Sequence, residues 1–326
     1  MKRALSVLCL LTAALAASAA GQTPILSPRD SVFLTLDTNT ISVNYGRPSM
    51  RGRKIMGHLV PWDQVWRTGA NQATHLKTSF DMVFGGMPVP RGTYTLWTLP
   101  SPAGWKVIVN KQTRQWGTAY DPSLDLCRFE ARVERLAAPV DTFTIALQTT
   151  GASSGVMKLL WEQTSVIVPF ERSTRIRPIS PADSSELSLA GRKVLIKYSR
   201  PFMRGRVIWG VVVPFDSVWR TGANLATSLA TESDLTLGGI RIPKGSYTLY
   251  SIPSASGFTL IVNRRPGGTE PEYDPHLDLA RISMKQETAS TPVDPFRIWF
   301  EPAGSGRATL KLGWSGRIFS AQLNTN

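Results

Sequence analysis

"VWRTGAN", Val65–Asn71, returns letter for letter at Val218–Asn224, and the spacing of 153 residues between the two decides the architecture. Sliding the chain against itself by that offset brings most of each half into register without a gap. Tyr45, Arg47 and Pro48 fall on Tyr198, Arg200 and Pro201, and "MRGR" at Met50–Arg53 falls on "MRGR" at Met203–Arg206. Tyr45–Arg128 and Tyr198–Arg281 share 44 identities over 84 positions, so the chain is an internal duplication. A period this long makes each copy a whole domain, because solenoid repeats are far shorter. The polar, proline-bearing stretch Glu171–Ser185 reads as the linker, giving domains at about 22–172 and 173–326.

Within each copy the apolar letters alternate with period two. Phe143, Ile145 and Leu147 face one way; Phe129, Ala131 and Val133 do the same in another segment. Tyr94 and Leu96 share a face of a third strand, and Gly85-Gly86 reads as a tight hairpin turn. No window carries a helical stripe. The expectation is all-β: two tandem homologous antiparallel β-sandwich domains of eight or nine strands each, irregular around "RPSMRGR" and "VWRTGAN".

Lys2 and Arg3, an apolar run from Ala4 to Ala17 and small residues to Ala20 have the plan of a secretory signal peptide over residues 1–20. No later stretch is long and apolar enough to span a bilayer, so the expectation is an exported protein, periplasmic or secreted. Removing the leader leaves Cys127 as the one cysteine, and stability then rests on packing. The net charge of +14 becomes +12 when Lys2 and Arg3 leave. Such a surface favours an anionic glycan or envelope polymer as partner. The cations are spread along the chain without a cluster, which argues against nucleic acid.

These residues resemble the bacterial family DUF2911, domains of unknown function. The resemblance rests on Tyr45–Pro48, Val65–Thr74, Pro90–Pro100, Trp105–Asn110, Trp116-Gly117, Tyr120-Asp121 and Leu159–Glu162. The second copy departs in places: Phe258 stands for Trp105, the Trp-Gly pair is absent, and "LGWSG" replaces "LLWEQ". The resemblance implies exported bacterial β-domains and no stated activity.

For chemistry, His58, His75 and His276 have no histidine partner in the other copy, so a shared zinc or copper site lacks ligands and no cofactor is expected. Asp81, Asp121 and Asp125 leave an oxygen-ligand calcium site open, with turn-capping as the plainer role. "GASSG" at Gly151–Gly155 fits G-x-S-x-G but is followed by strand, so it is assigned to a hairpin loop. Asp63, Asp81, Asp121 and Asp125 recur as Asp216, Asp234, Asp274 and Asp278, the alternative of a hydrolase acting on envelope glycans. A purely structural envelope protein is the third reading.

The leading reading is a non-catalytic ligand-binding protein. Arginine offers a planar fork for carboxylates and phosphates. The candidate pocket is Arg47, Arg51, Arg53, Trp66, Arg67 and Asn71 in the first copy, and Arg200, Arg204, Arg206, Trp219, Arg220 and Asn224 in the second. Against it stands a structural plug, in which Trp66 fills core and the polar side chains satisfy the loop's own backbone. Consecutive Val65 and Trp66 must point to opposite sides of an extended chain, so the motif cannot face the core throughout.

Overall fold

The alternation around Phe143 builds one of the two longest strands in the first copy. In the computed structural model, which describes residues 26–173, 180–265, 273–304 and 306–325, copy 1 consists of nine strands. They are β1 (Arg29–Leu36), β2 (Asn39–Gly46), β3 (Thr74–Thr78), β4 (Met82–Phe84), β5 (Met87–Val89), β6 (Gly92–Ser101), β7 (Gly104–Asn110), β8 (Asp125–Gly151) and β9 (Ser154–Arg172). Copy 2 repeats them as β10 (Ala182–Leu189), β11 (Arg192–Ser199), β12 (Thr227–Thr231), β13 (Leu235–Leu237), β14 (Ile240–Ile242), β15 (Gly245–Pro253), β16 (Phe258–Asn263), β17 (Asp278–Pro302) and β18 (Arg307–Thr325). The chain is two tandem all-β domains, as the alternation predicted. The hairpins at Gly85-Gly86 and at Gly151–Ser154 join β4 to β5 and β8 to β9. The leader assigned to residues 1–20 lies outside the described residues.

Each copy is one antiparallel sheet folded on itself, ordered β1-β2-β3-β6-β7-β8-β9-β4-β5 and β10-β11-β12-β15-β16-β17-β18-β13-β14. The fold-over is made by β8. It pairs with β7 from Asp125 to Ala131, then with β9 from Arg132 onward, with register shifts between Arg135 and Thr144. A strand that changes partners through such irregularities turns the corner between two packed layers. The core between the layers holds Tyr45, Phe84, Phe143, Met157 and Trp161. Each such side chain contributes about 1.5–3 kcal/mol by burial. Copy 2 has its own core of the same design around Tyr198, Phe296 and Trp314.

One burial expectation needs correction. Phe129 is 6% exposed but Val133 is 40% exposed, because beyond Ala131 the strand has left β7 and no longer lies over the core. Thr95 and Trp97, on the face of β6 opposite Tyr94 and Leu96, are buried as well, so both faces of that strand are covered. A small second cluster of Ala73, Trp97 and Ile108, packed with Val65 and Tyr120, covers the back of the sheet.

The two copies meet asymmetrically. The loop Met203–Arg206 of copy 2 docks on the start of β8 in copy 1: the Arg128 N–H donates to the Arg204 carbonyl (2.9 Å), and Arg206 Nη1 donates to the Asp125 carbonyl (3.3 Å).

Candidate functional site

The repeated motif adds a single rung to the sheet. The Trp66 N–H donates to the Thr98 carbonyl at 2.7 Å, and the Thr98 N–H returns a bond to the Trp66 carbonyl at 3.0 Å. From that rung Trp66 points into the main core and Val65 into the cluster behind the sheet, the opposite facing that the extended chain requires. Next, Thr68 is buried with φ of 52°, and its carbonyl accepts from the Thr74 hydroxyl at 2.7 Å. Gly69 passes so close to the Gly46 carbonyl that a β-carbon there would lie 2.9 Å from its oxygen, and a side chain does not fit. Copy 2 repeats each hydrogen bond: Trp219 N–H to Ser251 carbonyl at 2.7 Å, and Thr227 hydroxyl to Thr221 carbonyl at 2.6 Å. The Trp-x-Thr-Gly part of the motif is therefore a plug that closes one end of each sandwich.

The polar candidates divide. Arg47 pairs with Asp30 at 3.0 Å and Arg200 with Asp183 at 3.2 Å, each tying its first strand to its second. Arg53 donates to the carbonyls of Met50 and Ser49, and Arg206 likewise to Met203 and Phe202, so both staple their own loop. Arg51 is exposed and donates to the Leu26 carbonyl at 2.5 Å. Arg204 is buried at the contact between the copies, near Cys127. Asn71 and Asn224 adopt φ of 63° and 57°, and their amides donate to the carbonyls of Ser27 (3.4 Å) and Ser180 (3.1 Å). Arg67 is half-buried against Gly117; Arg220 is exposed and donates to the Asn224 carbonyl at 2.6 Å.

Four candidates from copy 2 come together. Arg206, Trp219, Arg220 and Asn224 line a cleft of about 440 Å³ whose far wall is Lys111 and Leu126 of copy 1. No carboxylate lines it among the described residues. Burial lowers the pKa of both Lys111 and Arg206, and neighbouring guanidiniums, Arg206 and Arg204 respectively, lower them further. Lys111 and Arg206, with the exposed Arg220 beside them, thus converge on a cleft where an anion would relieve their repulsion. The Trp314 indole N–H, on the cleft wall, has no hydrogen-bond partner among the described residues, whereas Trp161 donates to the Asp141 carbonyl at 3.0 Å. A larger groove of about 560 Å³ lies along β10 and β11, lined by Ala182, Tyr198 and Leu225. In copy 1 that position is taken by Arg29, which bonds Asn44 and the carbonyls of Gln72 and Ala73; the offset puts Ala182 in its place.

The shared aspartates are occupied with the fold. Asp81 accepts from the Arg91 N–H (2.7 Å) and Asp121 from the Ser123 N–H (2.9 Å), both turn caps. Asp125 is fully buried and accepts from Asn110 (2.8 Å), Tyr120 (2.8 Å) and Arg128 (2.6 Å). Its pKa is raised by burial, against the opposing pull of those hydrogen bonds. Asp278, Asn263, Tyr273 and Arg281 repeat the network. Among the described residues no three His, Cys, Asp or Glu side chains group as metal ligands.

Four contributing residues are not among the sequence candidates. Lys111 lies outside the motif, and only its cationic counterpart Arg264 in the repeat marks it. The pair Asp30 and Asp183 sits at the same offset, upstream of the stretch compared. Glu162, at φ of 52°, accepts from the Ile55 and Met56 N–H groups at 3.3 and 3.2 Å. Its counterpart is Ser315.

Two folded-over antiparallel sheets, each closed by its own Trp-Arg-Thr-Gly plug, define a tandem β-sandwich protein. The family model for DUF2911, protein of unknown function, matches at residues 27–170 and again at 180–322, and the chain belongs to that family. No curated protein and no solved structure matches the chain.

Proposed function

We propose that the chain is an exported, non-catalytic binding protein whose ligand is an anionic glycan or a phosphate-bearing envelope polymer, held in the cleft between the two copies. One observation carries this reading: Lys111, Arg206 and Arg220 converge on a cleft of about 440 Å³ that no described carboxylate lines. Guanidinium forks suit carboxylate and phosphate groups, and the Trp219 indole forms an apolar part of the same wall. The basic surface favours the same partners by raising their local concentration. Export is supported by the leader pattern at residues 1–20.

The test is a screen of acidic glycans, teichoic-type polyphosphates and neutral glycans against the full mature chain, followed by calorimetric titration of hits against Lys111→Ala and Arg220→Ala. Loss of one charge-assisted hydrogen bond is expected to weaken binding about 10- to 100-fold, at about 1.5–3 kcal/mol. Equal binding by wild type and both variants, with folding unchanged, would sink the cleft; so would a screen in which anions bind no better than neutral glycans.

A further inference from the structure

The contact between the copies uses half of what the duplication supplies. Its plug is the Met203–Arg206 loop of copy 2, and its socket is the corner at the start of β8 in copy 1. Both parts exist twice. The copy 1 loop Met50–Arg53 has the same four letters, with Arg51 and Gly52 at φ of 51° and 71°; Arg204 and Gly205 have the same two values. The loop is thus already in its docked shape with none of the described residues of copy 2 seated against it, and docking costs it little ordering. A β-carbon on Gly52 would meet no described atom beyond its chain neighbours within 4 Å, whereas one on Gly205 would collide with the Arg128 carbonyl.

The second socket repeats the first. Asp278, Tyr273 and Arg281 copy Asp125, Tyr120 and Arg128, but with no loop on top among the described residues. The difference appears in exposure: the Arg128 and Asp125 side chains are 15% and 0% exposed, the Arg281 and Asp278 side chains 49% and 11%. Leu126 is buried beside the docked loop, and its counterpart Leu279 is partly exposed.

We propose that the free Met50–Arg53 loop of one chain docks on the free Asp278–Arg281 corner of a second copy of the same chain. The occupant is a second copy because the fold already shows this loop seated on this socket. The contact is heterologous, plug to socket, so it propagates head to tail and ends as a ring or a filament. Ser49 and Lys54 stand where copy 2 has Phe202 and Val207, so the contact between chains is less apolar than the one within the chain, which makes it reversible. It also completes a second cleft: Arg67 and Asn71 of one chain would face Arg264 and Leu279 of the next, as Arg220 and Asn224 face Lys111 and Leu126 within the chain. Only that corollary rests on the anion-binding reading; the association does not.

Sedimentation velocity of the mature full chain over a concentration series tests it. The mean mass is expected to rise with concentration, and to stay at one chain in Gly52→Asn and in Leu279→Glu. Asparagine tolerates positive φ, so Gly52→Asn leaves the loop folded while placing a β-carbon against the docking carbonyl. Arg264→Glu, at an exposed rim position, replaces Leu279→Glu if that variant melts early. A one-to-one mixture of the plug variant and the socket variant is expected to form pairs and no larger species, since each has one working end. A wild-type chain that stays monomeric to about 1 mM, the weak end of specific association, overturns the proposal. So does association that both variants retain, or a mixture that does not pair.

Discussion

Trp66 lies stacked on Trp161, ring centroids 5.7 Å apart and planes at 20°, and Trp219 lies on Trp314 in the same way at 5.9 Å and 15°. The stacked pair joins the motif loop to β9, or to β18 in copy 2, and Phe143 or Phe296 meets its edge.

Truncating that anchor should unfold one sandwich before the other. Trp66→Ala removes a ring in contact with Trp105, Phe143 and Trp161 and is expected to cost about 3–5 kcal/mol. Chemical denaturation followed by tryptophan fluorescence should then show a transition for copy 1 moved to lower denaturant, with copy 2 unmoved. Trp66→Phe should recover part of the loss. A shift common to both copies would mean that they do not unfold independently.

Glu162 offers a cleaner contrast, because the repeat supplies its own control. Glu162→Ala strands the N–H groups of Ile55 and Met56, each a loss of about 1–3 kcal/mol when buried from water. Ser315→Ala, at the equivalent place, should fall within about 0.5 kcal/mol of wild type, the range of surface changes. Thermal melts of the two single variants make the comparison; equal losses would show that the carboxylate does not hold that loop.

The identical glycines of the two "MRGR" loops should respond differently. Gly205→Asn forces the loop off the Arg128 carbonyl and is expected to separate the copies, read as an increase in the radius of gyration by small-angle scattering. Gly52→Asn meets open space and should leave a dilute chain unchanged in shape and melting temperature. Equal scattering from the two variants would show that the loop does not hold the copies together.

Cys127 gives a pH signature. Burial pushes its thiol up to about 12, while an unfolded cysteine ionises near 9.0. A group raised on folding keeps its proton longer in the folded state, so its contribution is full below pH 9 and is lost as pH climbs from 9 to 12. The slope is about 1.4 kcal/mol per pH unit. Cys127→Ser should flatten stability against pH in that window. Native chain at about pH 8, below the unfolded thiol's own range, should react with a thiol reagent only as fast as it opens; rapid labelling would show an accessible thiolate.

Much of this molecule was legible in the letters. The alternation of Phe143, Ile145 and Leu147 named the strands, and the 153-residue offset named the two domains. Val65 and Trp66 had to diverge because adjacent side chains of an extended chain do. The candidate site was legible only in part. Arg53 and Arg206 occupy equivalent places and staple their loops alike, yet only Arg206 reaches the cleft, and Arg47 is held by Asp30. Nothing in the spacing of cations tells which partner each will find.

The sequence alone determined the duplication and the β-class, because these depend on periodicity and on local backbone chemistry, which travel with the chain; that the Trp-x-Thr-Gly stretch is a plug was decided by its contacts with Thr98, Trp161 and Thr74. Tertiary structure decided that the two copies are not equivalent. Among the described residues the same Met-Arg-Gly-Arg letters are docked in copy 2 and bare in copy 1, because one chain contains one junction between its halves, and the cleft walled by Lys111 forms where that junction brings copy 1 against copy 2.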